Sequence, residues 1–203
     1  MAIIKAEEKM TGKKIVAIAS STGGPKALQV LIPLLPQNLA APVLIVQHMP
    51  AGFTEALAGR LNNLSPLSVK EAAEGDILMP GCAYLARGGR HMLVTRTGTK
   101  HVIRYSDEPP REGVRPCANY MYESLAKSGY EEVVCAVLTG MGADGTAGIK
   151  YLADYKKLTV LAQSEETCAV YGMPRSIVLA GLAKKGQSLE QIAQEIIKNV
   201  GVN

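Results

Sequence analysis

Apolar residues in this chain fall in short unbroken runs separated by stretches of helical spacing. Residues 15–19 (Ile-Val-Ala-Ile-Ala), 42–47 (Pro-Val-Leu-Ile-Val-Gln) and 133–139 (Val-Val-Cys-Ala-Val-Leu-Thr) are such runs. Continuous apolar character marks a strand covered on both faces, as in a parallel sheet. Residues 158–163 predict a further strand. After the first run, Pro25 suits a first helical turn, and Ala27, Leu28, Leu31 and Ile32 keep helical spacing until Pro33 disturbs it. Phe53, Leu57 and Leu61 mark one face of a second helix. Pro116 opens another, with Tyr120, Met121, Ser124 and Leu125. A helix follows the third run, and Ser188 with Gln191 makes a capping box ahead of Leu189, Ile192, Ala193, Ile196 and Ile197.

Between residues 65 and 105 the pattern shortens and alternates. Turns are signalled at Pro80-Gly81, Gly88-Gly89 and Thr97-Gly98, and residues 92–96 and 102–105 flank the last as a hairpin. This stretch reads as an antiparallel insert. The fold class is therefore α/β: a doubly wound, mostly parallel sheet flanked by helices, with an antiparallel hairpin insert. Residues 1–13 read as a tail or linker remnant, and residues 14–203 as the folded domain. A chain of 203 residues with 47% hydrophobic content can bury one sizeable core.

Right-handed crossovers place every strand-to-helix turn along one sheet edge, outside the carboxyl ends of the strands. Three runs deliver chemistry there. The first ends in Ser20-Ser21-Thr22-Gly23-Gly24, the second in His48, and the third in Thr139 followed by Asp144. A hydroxyl, an imidazole and a carboxylate are the inventory of nucleophilic acyl transfer. The serine needs a base, and the base needs a carboxylate to fix its tautomer. Each residue also has a structural reading. Ser21 could satisfy helix amides, His48 could end a strand as a structural histidine, and Asp144 could serve as a turn residue or helix cap.

Competing chemistries fit less well. A phosphate loop needs a lysine after its glycines and a dinucleotide fingerprint needs G-x-G-x-x-G, and neither pattern is present. The hydrolase elbow G-x-S-x-G is half present, with Ala19 in place of its first glycine. One histidine at the edge and no His-x-x-x-His give no metal site, and no cofactor is expected. Cys82, Cys117, Cys135 and Cys168 form no C-x-x-C pair, which suggests reducing cytoplasm. Cys117 and Cys168 read as small packing residues near helix starts, and His91 and His101 as structural or surface residues. No apolar run is long enough for a membrane helix, and Met1 to Lys14 carries no signal-peptide pattern.

Net charge is +4, too small for a general nucleic-acid binder. The excess sits in one segment, where Arg87, Arg90, Arg96, Lys100, Arg104, Arg111 and Arg115 face only Asp107, Glu108 and Glu112. That segment is either a solvated loop surface or a docking face for an acidic partner.

Taken in order, Ser21-Thr22-Gly23-Gly24-Pro25, Gln47-His48-Met49-Pro50-Ala51-Gly52-Phe53-Thr54 and Leu138-Thr139-Gly140-Met141-Gly142-Ala143-Asp144-Gly145 resemble the catalytic domain of the CheB family of chemotaxis protein-glutamate methylesterases. Arg115-Pro116 and Tyr171-Gly172-Met173-Pro174 fit as well. The resemblance implies a Ser-His-Asp triad at Ser21, His48 and Asp144, with Thr22 and Met141 also in the site. It implies hydrolysis of glutamate γ-methyl esters on cytoplasmic helices of methyl-accepting chemotaxis receptors, and in many members glutamine deamidation. It further implies a phosphoacceptor receiver domain as a partner, which these residues do not include. Two departures stand out. Ser20 places a second hydroxyl beside the nucleophile, and Cys117-Ala118-Asn119 replaces a more usual serine and aspartate, which bears on substrate contacts there. The alternative is a catalytically silent module that keeps the fold and docks an acidic receptor helix.

Overall fold

Residue parity along the strands builds two cores on the two faces of one sheet. The computed structural model describes residues 13–203, so the expected tail, apart from Lys13, lies outside the described residues. In chain order the elements are β1 (Lys14–Ser20), α1 (Gly24–Leu31), β2 (Val43–Gln47), α2 (Thr54–Leu64), β3 (Ser68–Glu71), β4 (Cys82–Leu85), β5 (His91–Thr97), β6 (Lys100–Ser106), α3 (Ala118–Leu125), β7 (Glu132–Val137), α4 (Thr146–Ala153), β8 (Lys157–Gln163), α5 (Met173–Leu179), β9 (Gly186–Gln187) and α6 (Leu189–Val200).

Among the described residues seven strands form one sheet in the order β3-β4-β2-β1-β7-β8-β9, and every pairing in it is parallel. β5 and β6 stand apart as an antiparallel hairpin whose turn closes at Thr97↔Lys100. Ile15, Ala17 and Ala19 of β1 join Leu44 and Val46 of β2 in the core beneath α3, α4 and α5. Val16 and Ile18 join Val43 and Ile45 in the opposite core, beneath α1, α2 and α6. Successive strand residues point to opposite faces, so the two parities feed two helical layers.

The mostly parallel sheet and the hairpin are as the pattern predicts. One boundary differs. The antiparallel insert does not begin at residue 65, because β3 and β4 pair in parallel with each other and β4 joins β2. Four-residue strands are too short for alternation to fix their direction. Burial of Ala83, Tyr84 and Leu85 shows instead that β4 is an inner strand. The expected capping box is present: Ser188 Oγ accepts from Gln191 N, and Gln191 Oε1 accepts from Ser188 N.

From β1 the chain winds first through β2, β3 and β4 on one side, then through β7, β8 and β9 on the other. The strand order therefore reverses at the β1/β7 boundary. In open α/β sheets a crevice for ligand forms at such a switch point, outside the carboxyl ends of the strands.

Candidate active site

β1 ends at Ser20, and the turn that follows is held tightly. Ser21 N–H donates to Thr139 O at 3.0 Å, and Ser21 O accepts from Gly24 N at 2.8 Å. Gly23 lies at φ 82°, a backbone region that favours glycine, and a Cβ there would stand 2.5 Å from Ala169 Cβ. No side chain caps α1, so the reading of Ser21 as a helix cap is overturned. Ser21 continues the parity of Ile15, Ala17 and Ala19 and faces the α3/α4 side. A Cβ on Gly140 would stand 2.7 Å from Ser21 Cβ, so the two backbones meet closely across the switch point.

His48 follows β2 with the same parity. Its backbone N–H donates to Ser20 O at 3.0 Å, which is the last rung between the strands. Its Nε2 lies 2.7 Å from Asp144 Oδ2, with both side chains almost removed from water. That contact leaves Nδ1 as the nitrogen available to a hydroxyl. Among the described residues Ser21 Oγ makes no hydrogen bond. The histidine–carboxylate half of the constellation is formed here, and the serine–histidine half is not.

Asp144 is held by more than the histidine. Ala118 N donates to Oδ2 at 2.6 Å and Asn119 N to Oδ1 at 2.9 Å, so the carboxylate closes the start of α3. Cys117 Sγ donates to Oδ1 at 3.1 Å. Burial opposes the charged form, but the hydrogen bonds from His48, Ala118 N and Cys117 outweigh it and hold the carboxyl below its ordinary pKa. Asp144 does not cap α4, its own neighbour in sequence. Asn119 Oδ1 does so, accepting from Gly145 N at 3.0 Å and Gly148 N at 2.7 Å.

Two expectations are corrected at this point. Cys117 is no mere packing residue but a donor to Asp144, and burial with the adjacent carboxylate pushes its thiol up to about 12. It therefore stays protonated and is not a nucleophile. The Cys117-Ala118-Asn119 departure touches the carboxylate itself. The expected crowding of the nucleophile by Ser20 is also absent. Ser20 is fully buried on the opposite face, with its hydroxyl 2.7 Å from Gln47 Oε1.

The remaining residues fall into clear places. Thr22 and Met141 are exposed at the rim, and their backbone N–H groups donate to no acceptor among the described residues. Thr139 is structural: its Oγ1 donates to Thr22 O at 2.9 Å and accepts from Val170 N at 3.0 Å. Gly172 N and Met173 N both donate to Gly140 O, so the Tyr171-Gly172-Met173-Pro174 stretch closes over the same turn. His91 is buried, and its Nδ1 accepts from Cys117 N at 3.1 Å. A cleft of about 230 Å³ beside His48 is lined by Met49, Pro50, Val114 and Arg115. Among the described residues no His/Cys/Asp/Glu group could hold a metal ion, and no helix is long and apolar enough to cross a membrane.

The basic segment is largely neutralised locally. Arg90 pairs with Asp107, Arg104 with Glu74, Arg111 with Glu123 and Arg87 with Glu71. Arg115 donates to the carbonyls of Asp107 and Glu108. Gln47, Ser20, Asn119, Gly140 and Met173 are residues to which the sequence assigned no supporting role. Parity could have found the first two, because they precede Ser21 and His48 by one residue.

Known proteins resemble this chain over most of its length. Residues 16–196 match the family model described as CheB methylesterase. The chain is 47% identical over 188 residues to a protein-glutamate methylesterase/protein-glutamine glutaminase of Bacillus subtilis, covering 92% of this chain and 52% of the relative. A protein of the same name from Geobacillus kaustophilus is 44% identical, with 92% and 54% covered. The chain thus spans about half the length of these curated relatives. The crystal structure of the Thermotoga maritima CheB methylesterase catalytic domain superposes with a TM-score of 0.89 at 39% identity, covering 93% of this chain and all of that one.

Proposed function

The chain belongs to the CheB methylesterase family, and from that premise we propose that it hydrolyses glutamate γ-methyl esters on the cytoplasmic helices of chemoreceptors through Ser21, His48 and Asp144. The observation that carries this reading is the buried 2.7 Å contact between His48 Nε2 and Asp144 Oδ2 at the switch point, one strand from Ser21. The Asp144 carboxylate orients the imidazole and stabilises the imidazolium that forms during attack.

Ser21 Oγ adds to the ester carbonyl carbon as His48 Nδ1 takes its proton. The tetrahedral oxyanion is met by the backbone N–H groups of Thr22 and Met141. The intermediate collapses, the carbon–methoxy bond breaks, and His48 returns its proton to the oxygen so that methanol leaves. Water then adds to the acyl-enzyme with His48 again as base. Collapse releases the glutamate carboxylate and restores the serine. His48 relays each proton, first from Ser21 to methanol and then from water back to Ser21, and the glutamic acid formed gives its proton to solvent, so these steps call for no cofactor. The serine–histidine hydrogen bond closes when substrate fills the cleft, because such bonds are often long in ligand-free sites. An amide in place of the ester gives glutamine deamidation by the same steps, with ammonia leaving.

Replacing Ser21 by Ala tests this directly. Methanol release from a methylated receptor should fall by about 10⁴-fold. A fluorophosphonate should label the parent at Ser21 and leave the variant unlabelled. Methanol release close to the parent's by a folded Ser21→Ala protein would falsify the assignment. Missing label on the parent would favour a silent docking module.

A further inference from the structure

We propose that Gln47 is a positioning residue that sets the spacing between nucleophile and base, with Ser20 fixing its orientation; this rests on the esterase reading above. Ser20 and Gln47 are in register across β1 and β2 and share the face opposite Ser21 and His48. Both are almost completely buried. The Gln47 side chain lies under the first turn of α1, in the space a Cβ on Gly24 would need.

Both donors of this amide and one lone pair of its oxygen are spent on the site. Nε2 donates to Ser21 O at 2.9 Å and to His48 O at 3.1 Å, while Oε1 accepts from Ser20 Oγ at 2.7 Å. Only one orientation satisfies these partners. A flipped amide would set its oxygen against two carbonyl oxygens, which cannot donate. The regular ladder between the strands ends where His48 N–H meets Ser20 O. One residue further on, where reacting side chains project, no backbone bond joins the strands. The planar Gln47 amide supplies that rung. It bridges the carbonyls of the two residues whose side chains must meet, and the Ser20 hydroxyl prevents it from turning.

Ser21 is thereby held from two sides, its N–H by Thr139 O just past the end of β7 and its carbonyl by Gln47 on β2. Its hydroxyl is free to approach His48 Nδ1 while its backbone is not free to drift. Small losses of such alignment are costly to the chemical step and hardly touch substrate affinity. This accounts for the second serine beside the nucleophile: it acts on Gln47 from the far face of the sheet.

The test uses Gln47→Met and Gln47→Glu, neither of which keeps both donors. Parent and variants are compared for methyl ester hydrolysis and for the rate of fluorophosphonate labelling at Ser21. Expected are losses of about 10-fold to 100-fold in kcat and in labelling rate, with KM within about threefold of the parent. Folded variants labelled at the parental rate overturn the proposal. If neither variant folds, Ser20→Ala decides. Labelling slowed by about two- to fivefold supports the brace, as expected for one lost hydrogen bond, and parental labelling overturns it. A parent that is not labelled at Ser21 overturns the esterase reading and the brace together, whereas a labelled parent with unaffected variants removes only the brace.

Discussion

Asp144 shows how a single residue serves folding and chemistry through the same bonds. Its carboxylate accepts from His48, from two backbone amides at the start of α3 and from the Cys117 thiol. The folded state therefore favours the ionised form, and its pKa lies below the unfolded value. With a depressed folded pKa, the stabilisation is present above the unfolded value of about 3.9 and is lost as pH falls through the folded pKa. Asp144→Asn should accordingly flatten the acid side of a plot of thermal midpoint against pH. The same variant should lose about 10⁴-fold in kcat, because an amide cannot hold the required imidazole tautomer. An acid limb as steep as the parent's would show that the carboxylate is not linked to folding. None of these partners beyond His48 was visible in the sequence, since the bonds to residues 117–119 span 25 positions or more. A cysteine near a helix start looks like packing until the carboxylate beside it is seen.

Individual elements were legible to the extent that their periodicity was long. β1, β2 and β7 were readable because continuous apolar runs admit only a strand covered on both faces. Parity within β1 also decides between the two serines. Ser21 follows Ile15, Ala17 and Ala19, whereas Ser20 follows Val16 and Ile18 into the other core. β3 and β4 were not placed, because four residues carry too little pattern and a neighbouring hairpin biases the reading. The hairpin holds a testable feature of its own. His101 of β6 is buried against Tyr130, with ring centroids 3.8 Å apart. Burial, together with the charges of Arg96 and Lys156, lowers its pKa to about 4. Its folded pKa is depressed, so the unfolded chain binds more protons between about pH 6.5 and 4. Stability from this site is present above the upper value and falls as pH drops through that window. His101→Gln should lessen the decline, measured as denaturation midpoints at pH steps across it, and an unchanged slope would refute the linkage.

At the scale of the whole molecule, topology assembles the site and the charge pattern bears on the proposed docking to a receptor helix. The order β3-β4-β2-β1-β7-β8-β9 reverses at β1/β7, which brings the turns after residues 20, 47 and 139 to one edge. Alternation of strands and helices was enough to predict that convergence, but strand order was not in the sequence. The basic segment left two readings open, a solvated loop surface or a docking face for an acidic partner, and local pairing favours the first: Arg87, Arg90, Arg104 and Arg111 each hold a carboxylate from nearby chain. Exposed pairs of this kind contribute little to stability but cancel the field that would steer an acidic partner. Docking should then depend on shape and apolar contact around Phe53 and Met141, both exposed at the carboxyl edge. Raising salt from about 0.05 to 0.5 M shortens the screening length severalfold and would cripple an electrostatic encounter. For this protein kcat/KM on a methylated acidic helix should change by less than about threefold across that range. A fall of about 100-fold would mean that the arginines leave their carboxylates for the substrate. Substituting Arg87, Arg90, Arg104 and Arg111 one at a time would then identify where the new contact forms.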